Sequence, residues 1–314
     1  MTRIANSDLD IFPLGLGGNV FGMTADVPTS EHVLDAFAEK GGNFIDTADS
    51  YSAWVPGNRG GESETIIGEW MRKRANRGTV VVATKVGAHP EFKRLKPDNI
   101  ARAAEASLQR LQTDYIDLYY AHYDDEDTPM VESLAAFDRL VKDGKVRYLG
   151  ISNYTPERIE EWMRTARDNG FALPIALQPQ YSLVARKNYE KNYAPLAEKY
   201  GFSVFPYFAL ASGFLTGKYR TQADVEGKAR GAAVEAYLNK NGLAVVDALE
   251  TIAKKHNTAI ATVALAWVLA KPTITAPLAS ATSTKQLEEL MAAPRVQLSA
   301  EDMRMLDEVS APFA

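Results

Sequence analysis

The chain has 314 residues, 46% of them hydrophobic and 24% charged, with a formal net charge of −5 and no cysteine. These proportions exclude a disordered, collagen-like or coiled-coil chain. The missing cysteines exclude disulfides, a thiolate nucleophile, cysteine-ligated zinc and iron–sulfur clusters, and the absence of a basic stripe removes nucleic acid from the expected partners.

The N-terminal run MTRIANSDLD has no apolar core of the kind a signal peptide needs, and residues 1–10 are expected to form a hairpin that plugs a barrel floor. A strand is expected over Phe12–Leu16, running into the glycine-rich segment GLGGNVFG. Gly15, Gly17 and Gly18 resemble a dinucleotide fingerprint, but Val20 stands where the third glycine belongs, so a tight strand-to-loop turn is the better account. From there a short β-branched or aromatic run alternates with an amphipathic helix. Asn43–Ile45 precedes a helix over 62–74, Thr79–Ala83 leads to Pro97–Leu111, and Asp114–Tyr120 leads to Met130–Lys142. Val146–Ile151 leads to Pro156–Asp168, and Ile175–Leu177 leads to Tyr189–Tyr200. A strand at Phe202–Pro206 is followed by two helices, about 242–256 and 258–269, then by a strand at Thr273–Pro277 and a helix over 284–291. The most apolar stretch, residues 259–270, is short of the ~20 residues that cross a bilayer, so no membrane partner and a cytoplasmic location are expected.

The run ends recur every roughly 27–39 residues, a spacing that suits parallel strands joined by helical crossovers. Eight such units favour a closed (β/α)8 barrel over an open doubly wound sheet. The expectation is one domain over residues 1–314, with an extra loop and helix inserted after the seventh strand.

In such a barrel the functional groups cluster where strands end. Here successive runs end at Asp46 (with Tyr51 five residues on), Thr84–Lys85, His122, Ser152–Asn153, Gln178 and Tyr207. Together these groups suit carbonyl reduction. A ketone accepting hydride develops negative charge on oxygen and needs a proton donor beside it. Tyr51 can donate if a cation stabilises its phenolate. Lys85 could supply that cation, Asp46 could hold the ammonium, and His122 could orient the carbonyl oxygen. No metal is required.

The segments GGNFIDTADSY, GGESETIIGEW, VVATKVG, DLYYAHYDD, GKVRYLGISNY, LQPQYSLVAR and YFALASGFLTGKY resemble the aldo-keto reductase superfamily, in its order and over nearly the whole chain. The set Asp46, Tyr51, Lys85 and His122 matches its catalytic tetrad. The chain is most similar to the bacterial branch that also resembles aryl-alcohol-type reductases and potassium-channel β subunits. The resemblance implies a barrel that binds NADP(H), with NAD(H) as the alternative. It implies that Ser152, Asn153 and Gln178 hold the nicotinamide carboxamide, that Tyr207 stacks on its ring, and that Gly18 and Asn19 line the same pocket. Leu210, Ser212, Gly213, Leu215, Gly217 and Lys218 match the loop over the pyrophosphate, and Arg230 matches an arginine near the adenosine phosphate. In LASATSTKQLEEL, Thr282, Lys285 and Glu288 fall on contact positions at a helix N-terminus. The chain departs from the family at Glu289, where asparagine is usual for the adenine, at Phe208-Ala209-Leu210, where Ser-Pro-Leu is usual, and at Ala279, where arginine or lysine is frequent.

Phe21, Trp54 and Tyr123 are expected to form apolar walls for a small carbonyl or alcohol substrate. The tract Asp124, Asp125, Glu126 and Asp127 reads as a solvated loop, with a polar substrate rim as the alternative. His32, His89 and His256 receive no role. The expected activity is NAD(P)H-dependent carbonyl reduction, with reverse alcohol oxidation open to the same groups, in a monomer or homo-oligomer. Two alternatives stand beside it. A nucleotide-sensing regulatory subunit like the channel β subunits is opposed by His122, where those subunits often carry asparagine. A sugar isomerase would need a carboxylate-rich metal site, and Asp46 is the only carboxylate at the strand ends.

Overall fold

The computed structural model describes residues 1–228 and 231–314. A short antiparallel hairpin pairs β1 (Thr2–Arg3) with β2 (Asp10–Ile11). Eight parallel strands follow: β3 (Gly15–Gly17), β4 (Phe44–Asp46), β5 (Val81–Val86), β6 (Ile116–Ala121), β7 (Val146–Ser152), β8 (Pro174–Gln178), β9 (Ser203–Val204) and β10 (Leu278–Ala279). They are ordered β10-β3-β4-β5-β6-β7-β8-β9. The two ends of this ladder meet. The Val204 carbonyl accepts from the Thr275 and Ala276 amides, and the Pro206 carbonyl accepts from Leu278 N–H at 2.9 Å. The sheet therefore closes on itself as a (β/α)8 barrel.

Helices α1 (Val27–Glu39), α2 (Glu62–Arg74), α3 (Pro97–Leu111), α4 (Met130–Lys142), α5 (Pro156–Asn169) and α6 (Ala194–Tyr200) make the crossovers between β3 and β9. Each has a local cause. In α3, Pro97 starts the helix where no N–H is needed, and Ile100, Ala103, Ala104, Leu108 and Leu111 recur on one buried face. Thr155 caps α5 by accepting from Arg158 N–H, and Gly170 ends it at φ 66°. After β9 come a run of tight turns over 211–216, the short helices α7 (Gln222–Val225) and α8 (Gly231–Glu235), and then α9 (Lys240–Lys255) and α10 (Ile260–Leu269). The chain ends with α11 (Thr284–Met291) and α12 (Ala300–Val309). Among the described residues no helix is long and apolar enough to cross a membrane.

The barrel interior is a small apolar cluster of Phe44, Ala83, Leu118, Tyr120, Ala176, Phe205, Ala276 and Leu278. Ile4, Leu9 and Ile11 of the hairpin pack into the same cluster, so the hairpin seals the floor, as its position in the sequence suggests. The larger core lies between the outer face of the sheet and the helices. Tyr119 and Tyr120 of β6 show the alternation: the first packs in the helix layer and the second in the barrel interior.

Three differences from the sequence reading trace to proline. The first strand pairs only from Gly15, after Pro13, and the last joins the β3 ladder only from Leu278, after Pro277, because proline has no N–H for a ladder. The expected helix over 189–200 is α-helical only from Ala194, since Pro195 cannot donate to residue 191; a wider π turn over 189–193 precedes it.

Helices α2 and α3 cross at Gly68. A Cβ there would stand 2.2 Å from the Arg110 carbonyl oxygen and 2.7 Å from Leu111 Cα, both rigid backbone atoms. Gly68→Ala is expected to cost at least about 1–3 kcal/mol by overpacking, read as a lower urea midpoint. An unchanged midpoint would contradict this crossing.

Candidate functional site

The site is built at the C-terminal ends of the strands. β4 ends at Asp46, and the chain continues alongside β5: Thr47 N–H donates to the Ala83 carbonyl at 2.8 Å, and Asp49 N–H donates to the Lys85 carbonyl at 3.2 Å. This extension delivers Tyr51 above the barrel mouth. Lys85 on β5 points inward and is fully buried. Its ammonium donates to Asp46 Oδ2 at 2.8 Å, to the Thr47 carbonyl at 2.7 Å and to the Tyr51 hydroxyl at 2.9 Å. A lysine has three N–H donors, and all three are used, so the head group is held in one orientation.

Asp46 is held from its other side. Gln178 Nε2 donates to Asp46 Oδ1 at 2.8 Å, and Ser152 Oγ donates to the Gln178 carbonyl at 3.0 Å. Asn153, at a left-handed φ of 55°, donates to the His122 carbonyl at 2.9 Å and accepts from the Tyr207 hydroxyl at 2.9 Å. Asparagine tolerates this backbone region better than most residues. The six strand ends singled out in the sequence therefore converge on one polar cluster.

Electrostatics set the resting charges. Burial lowers the Lys85 pKa, while the Asp46 carboxylate opposes that fall. Burial pushes the Tyr51 hydroxyl well above its usual value, with Asp46 adding to the shift, so the phenol keeps its proton. Burial and the nearby Lys85 charge hold His122 well below the usual imidazole value, so the ring is neutral. Its Nδ1 is buried without a hydrogen-bond partner.

The residues expected over a pyrophosphate follow β9 in a strained run, with Phe208, Ala211, Ser212, Gly213 and Gly217 all at positive φ. Leu215 differs from expectation. Its side chain is fully buried in the core and its N–H bonds the Leu210 carbonyl, so it supports the loop and offers no exposed group. Lys218 is exposed and lies over the Tyr219 ring. Gly18 lies on a tight turn, its carbonyl accepting from Ser63 Oγ, and Asn19 Oδ1 accepts from Ser280 Oγ at 2.5 Å. That bond sets the segment after β10 beside the glycine turn. Beyond it, Thr282 is tied to Gln286, Lys285 is exposed in the first turn of α11, and Glu288 pairs at 3.2 Å with Lys40, the residue that ends α1. Arg230 lies outside the described residues.

Among the expected substrate walls, Trp54 and Tyr123 are exposed, while Phe21 has no accessible surface. Phe21 is packed in the core beneath the loops, which removes it from any wall. Phe208, to which sequence reasoning gave no place at the site, is exposed and lies edge-on to Tyr207 at 5.2 Å. Its departure from the family pattern was the available signal. The acidic tract is neither fully solvated nor a free rim. Asp125 is buried and accepts from Leu95 N–H and Thr128 Oγ1, Asp124 forms a two-point pair with Arg158, and Asp127 pairs with Arg94. His256 bonds Asp302 at the junction of α9 and α12.

Asp46→Asn would leave a buried ammonium without its counter-charge. A loss of about 3–5 kcal/mol is expected, measured by denaturant unfolding. Equal stability of variant and parent would refute the pairing.

A model of the Aldo/keto reductase family matches residues 13–311. Over 98% of its length the chain is 32% identical to "Uncharacterized oxidoreductase YrpG" of Bacillus subtilis (strain 168), covering 95% of that protein. It is 32% identical, over 93% of its length and 90% of the relative, to "Probable voltage-gated potassium channel subunit beta" of Oryza sativa subsp. japonica. It is 31% identical, over 98% of its length and 80% of the relative, to "Norsolorinic acid reductase" of Aspergillus flavus.

Proposed function

The chain belongs to the aldo/keto reductase family, and we propose that it reduces the carbonyl group of an aldehyde or ketone with a nicotinamide coenzyme, NADPH before NADH. The observation that carries this reading is the Lys85 ammonium, which touches both Asp46 and the Tyr51 hydroxyl. When bound, the nicotinamide supplies the hydride, two electrons and one hydrogen nucleus, to the carbonyl carbon. The protein supplies the rest. Tyr51 gives its proton to the carbonyl oxygen as charge builds there, and its phenolate is left 2.9 Å from an ammonium that cannot turn away. Asp46 keeps that ammonium charged against burial. His122, being neutral, donates one N–H to the same oxygen without adding a charge to the site. In reverse, the same groups remove the proton of an alcohol.

The residues fit such a coenzyme. The amide side chains of Asn153 and Gln178 with the Ser152 hydroxyl form one donor and acceptor set, and the partly exposed Tyr207 ring lies beside it. This set suits a flat ring bearing a carboxamide, and stacking with an amide clamp selects one face. Lys285 in the first turn of α11 supports a 2′-phosphate and hence NADPH. A purely regulatory role beside a channel, the setting named for the rice relative, is disfavoured by the fully assembled proton-donor set.

The mouth supports a planar aromatic substrate. Among the described residues, the large aromatic side chains left exposed are Trp54 at 59%, Tyr123 at 51% and Phe208 at 47%. Each leans on a site residue: Trp54 on Tyr51 at 6.3 Å, Tyr123 stacked on His122 at 4.7 Å, and Phe208 on Tyr207. Exposed aromatics gathered from three loops around one opening form a binding surface.

Tyr51→Phe is expected to abolish NADPH-dependent reduction while fluorescence titration still shows coenzyme binding, tighter for NADPH than for NADH. Turnover retained in that variant would sink the mechanism. Trp54→Ala and Phe208→Ala should each raise KM for an aryl ketone several-fold, from about 0.5–1.5 kcal/mol of lost ring contact, and leave a short aliphatic aldehyde unaffected. Equal effects on both substrates would refute an aromatic mouth.

A further inference from the structure

A second group of charges lies behind the strand that carries Lys85, between the outer face of the sheet and helices α2 and α3. Glu64 of α2 is fully buried, accepts from Thr84 Oγ1, and forms an ion pair with Arg110 Nε of α3 at 2.6 Å. Asp49, on the segment that follows β4, is also 0% exposed. Both of its carboxyl oxygens are buried without a well-formed hydrogen bond, and the adjacent Ser50 amide offsets burial less than any nearby charge does. The Tyr119 hydroxyl of β6, within the field of Asp49 and Glu64, is buried without a partner as well. His89 closes the top of the group, under the field of Arg110 and Glu64, and its own burial keeps it neutral.

The charges do not balance if every acid is ionised. Asp46, Asp49 and Glu64 face two cations, Lys85 and Arg110. Each cation already has a carboxylate in direct contact, Lys85 with Asp46 and Arg110 with Glu64. Asp49 is left without a contact cation, and the adjacent Ser50 amide is a weak counterweight to its burial. An unpaired, unsolvated carboxylate is among the costliest groups to bury, and a protein avoids that cost by keeping the proton. Burial, with the Glu64 charge behind it, indeed pushes the Asp49 carboxyl well above the usual carboxylate range.

We propose that Asp49 is a positioning residue of the reductase, neutral in the working protein, whose ionisation closes the alkaline side of carbonyl reduction. The coupling runs through Lys85. The Asp49 amide is bonded to the Lys85 carbonyl, and the two side chains lie within each other's field. A negative charge on Asp49 draws on the Lys85 ammonium and weakens the stabilisation of the Tyr51 phenolate, so proton donation slows. Burial also makes an ionisable Asp49 a cost to stability: the cost is absent below the unfolded value near pH 4, where the acid is neutral folded and unfolded, and it grows as pH rises towards the raised folded value.

Asp49→Asn keeps the shape of the neutral acid and cannot ionise. The first measurement is thermal stability of variant and parent from about pH 4 to pH 9. The variant should gain on the parent steadily as pH rises, and infrared spectra of the parent should carry a protonated-carboxyl stretch that the variant lacks. A variant that loses ground as pH rises would mean an ionised, stabilising Asp49 and would overturn the proposal. The second measurement is kcat/KM for reduction against pH. The parent should fall by about tenfold per pH unit on the alkaline side, and the variant should stay level there. The same alkaline fall in both proteins would overturn the coupling to Lys85. The kinetic half rests on the reductase reading, whereas the stability and infrared half does not; absence of turnover in the parent would therefore count against the function alone. Asp49→Ser, smaller and equally neutral, provides the same comparison should the asparagine variant fold poorly.

Discussion

Everything at the mouth of this barrel depends on one buried ammonium. Lys85 is charged in a place without water, and that condition is sustainable only because Asp46, the Thr47 carbonyl and the Tyr51 hydroxyl take its three hydrogens. Each partner comes from the segment at the end of β4, so β4 and β5 must lie in register side by side, which their parallel ladder ensures. Gln178 from β8, across the barrel, then fixes Asp46 from the opposite side. A break in the cylinder would leave the ammonium or the carboxylate exposed to partial hydration, and the phenol would lose its nearest cation.

The barrel wall separates two charged groups that share this one strand. The inward side of β5 carries Lys85, and the outward side carries Thr84, bonded to Glu64 in the helix layer. Inside, two charges face each other with hydrogen bonds to spare. Outside, the Glu64–Arg110 pair is joined by Asp49, which has no cation in contact. Buried polar groups that lack partners are costly and uncommon in folded proteins. Their concentration next to the proton-donor set ties the stability of the helix layer to the chemistry of the mouth.

The loops that decorate the mouth are held by the same economy of partners. Asp124 and Asp125, two acids that in sequence look like part of a solvated run, are anchors for neighbouring loops through Arg158, Leu95 and Thr128. Ser52 donates to the Phe21 carbonyl and Asn58 to the Gly22 carbonyl, so the loop bearing Tyr51 and Trp54 is strapped to the one after β3. With their backbones fixed in this way, Trp54 and Tyr123 can stay exposed without their loops collapsing into the opening.

The sequence by itself determined the alternation of strands and helices, because burial on one face writes a period into the chain, and helices such as Pro97–Leu111 and Met130–Lys142 carry their own stops. It also brought out the strand-end residues, since in parallel crossovers every strand ends on the same side. Helices α1 and α12 were missed in the sequence, although the Asp26 cap with Pro28 and the Ser299–Asp302 capping box mark their starts. What only the tertiary structure decided was partnership. Whether Phe21 or Phe208 meets the opening, whether Asp125 is solvated, and whether Asp49 has a counter-charge depend on residues tens of positions away, brought near only when the sheet closes. A sequence records which groups a chain carries; the closed barrel decides which of them find a partner, because solvation and charge pairing are properties of three-dimensional neighbours.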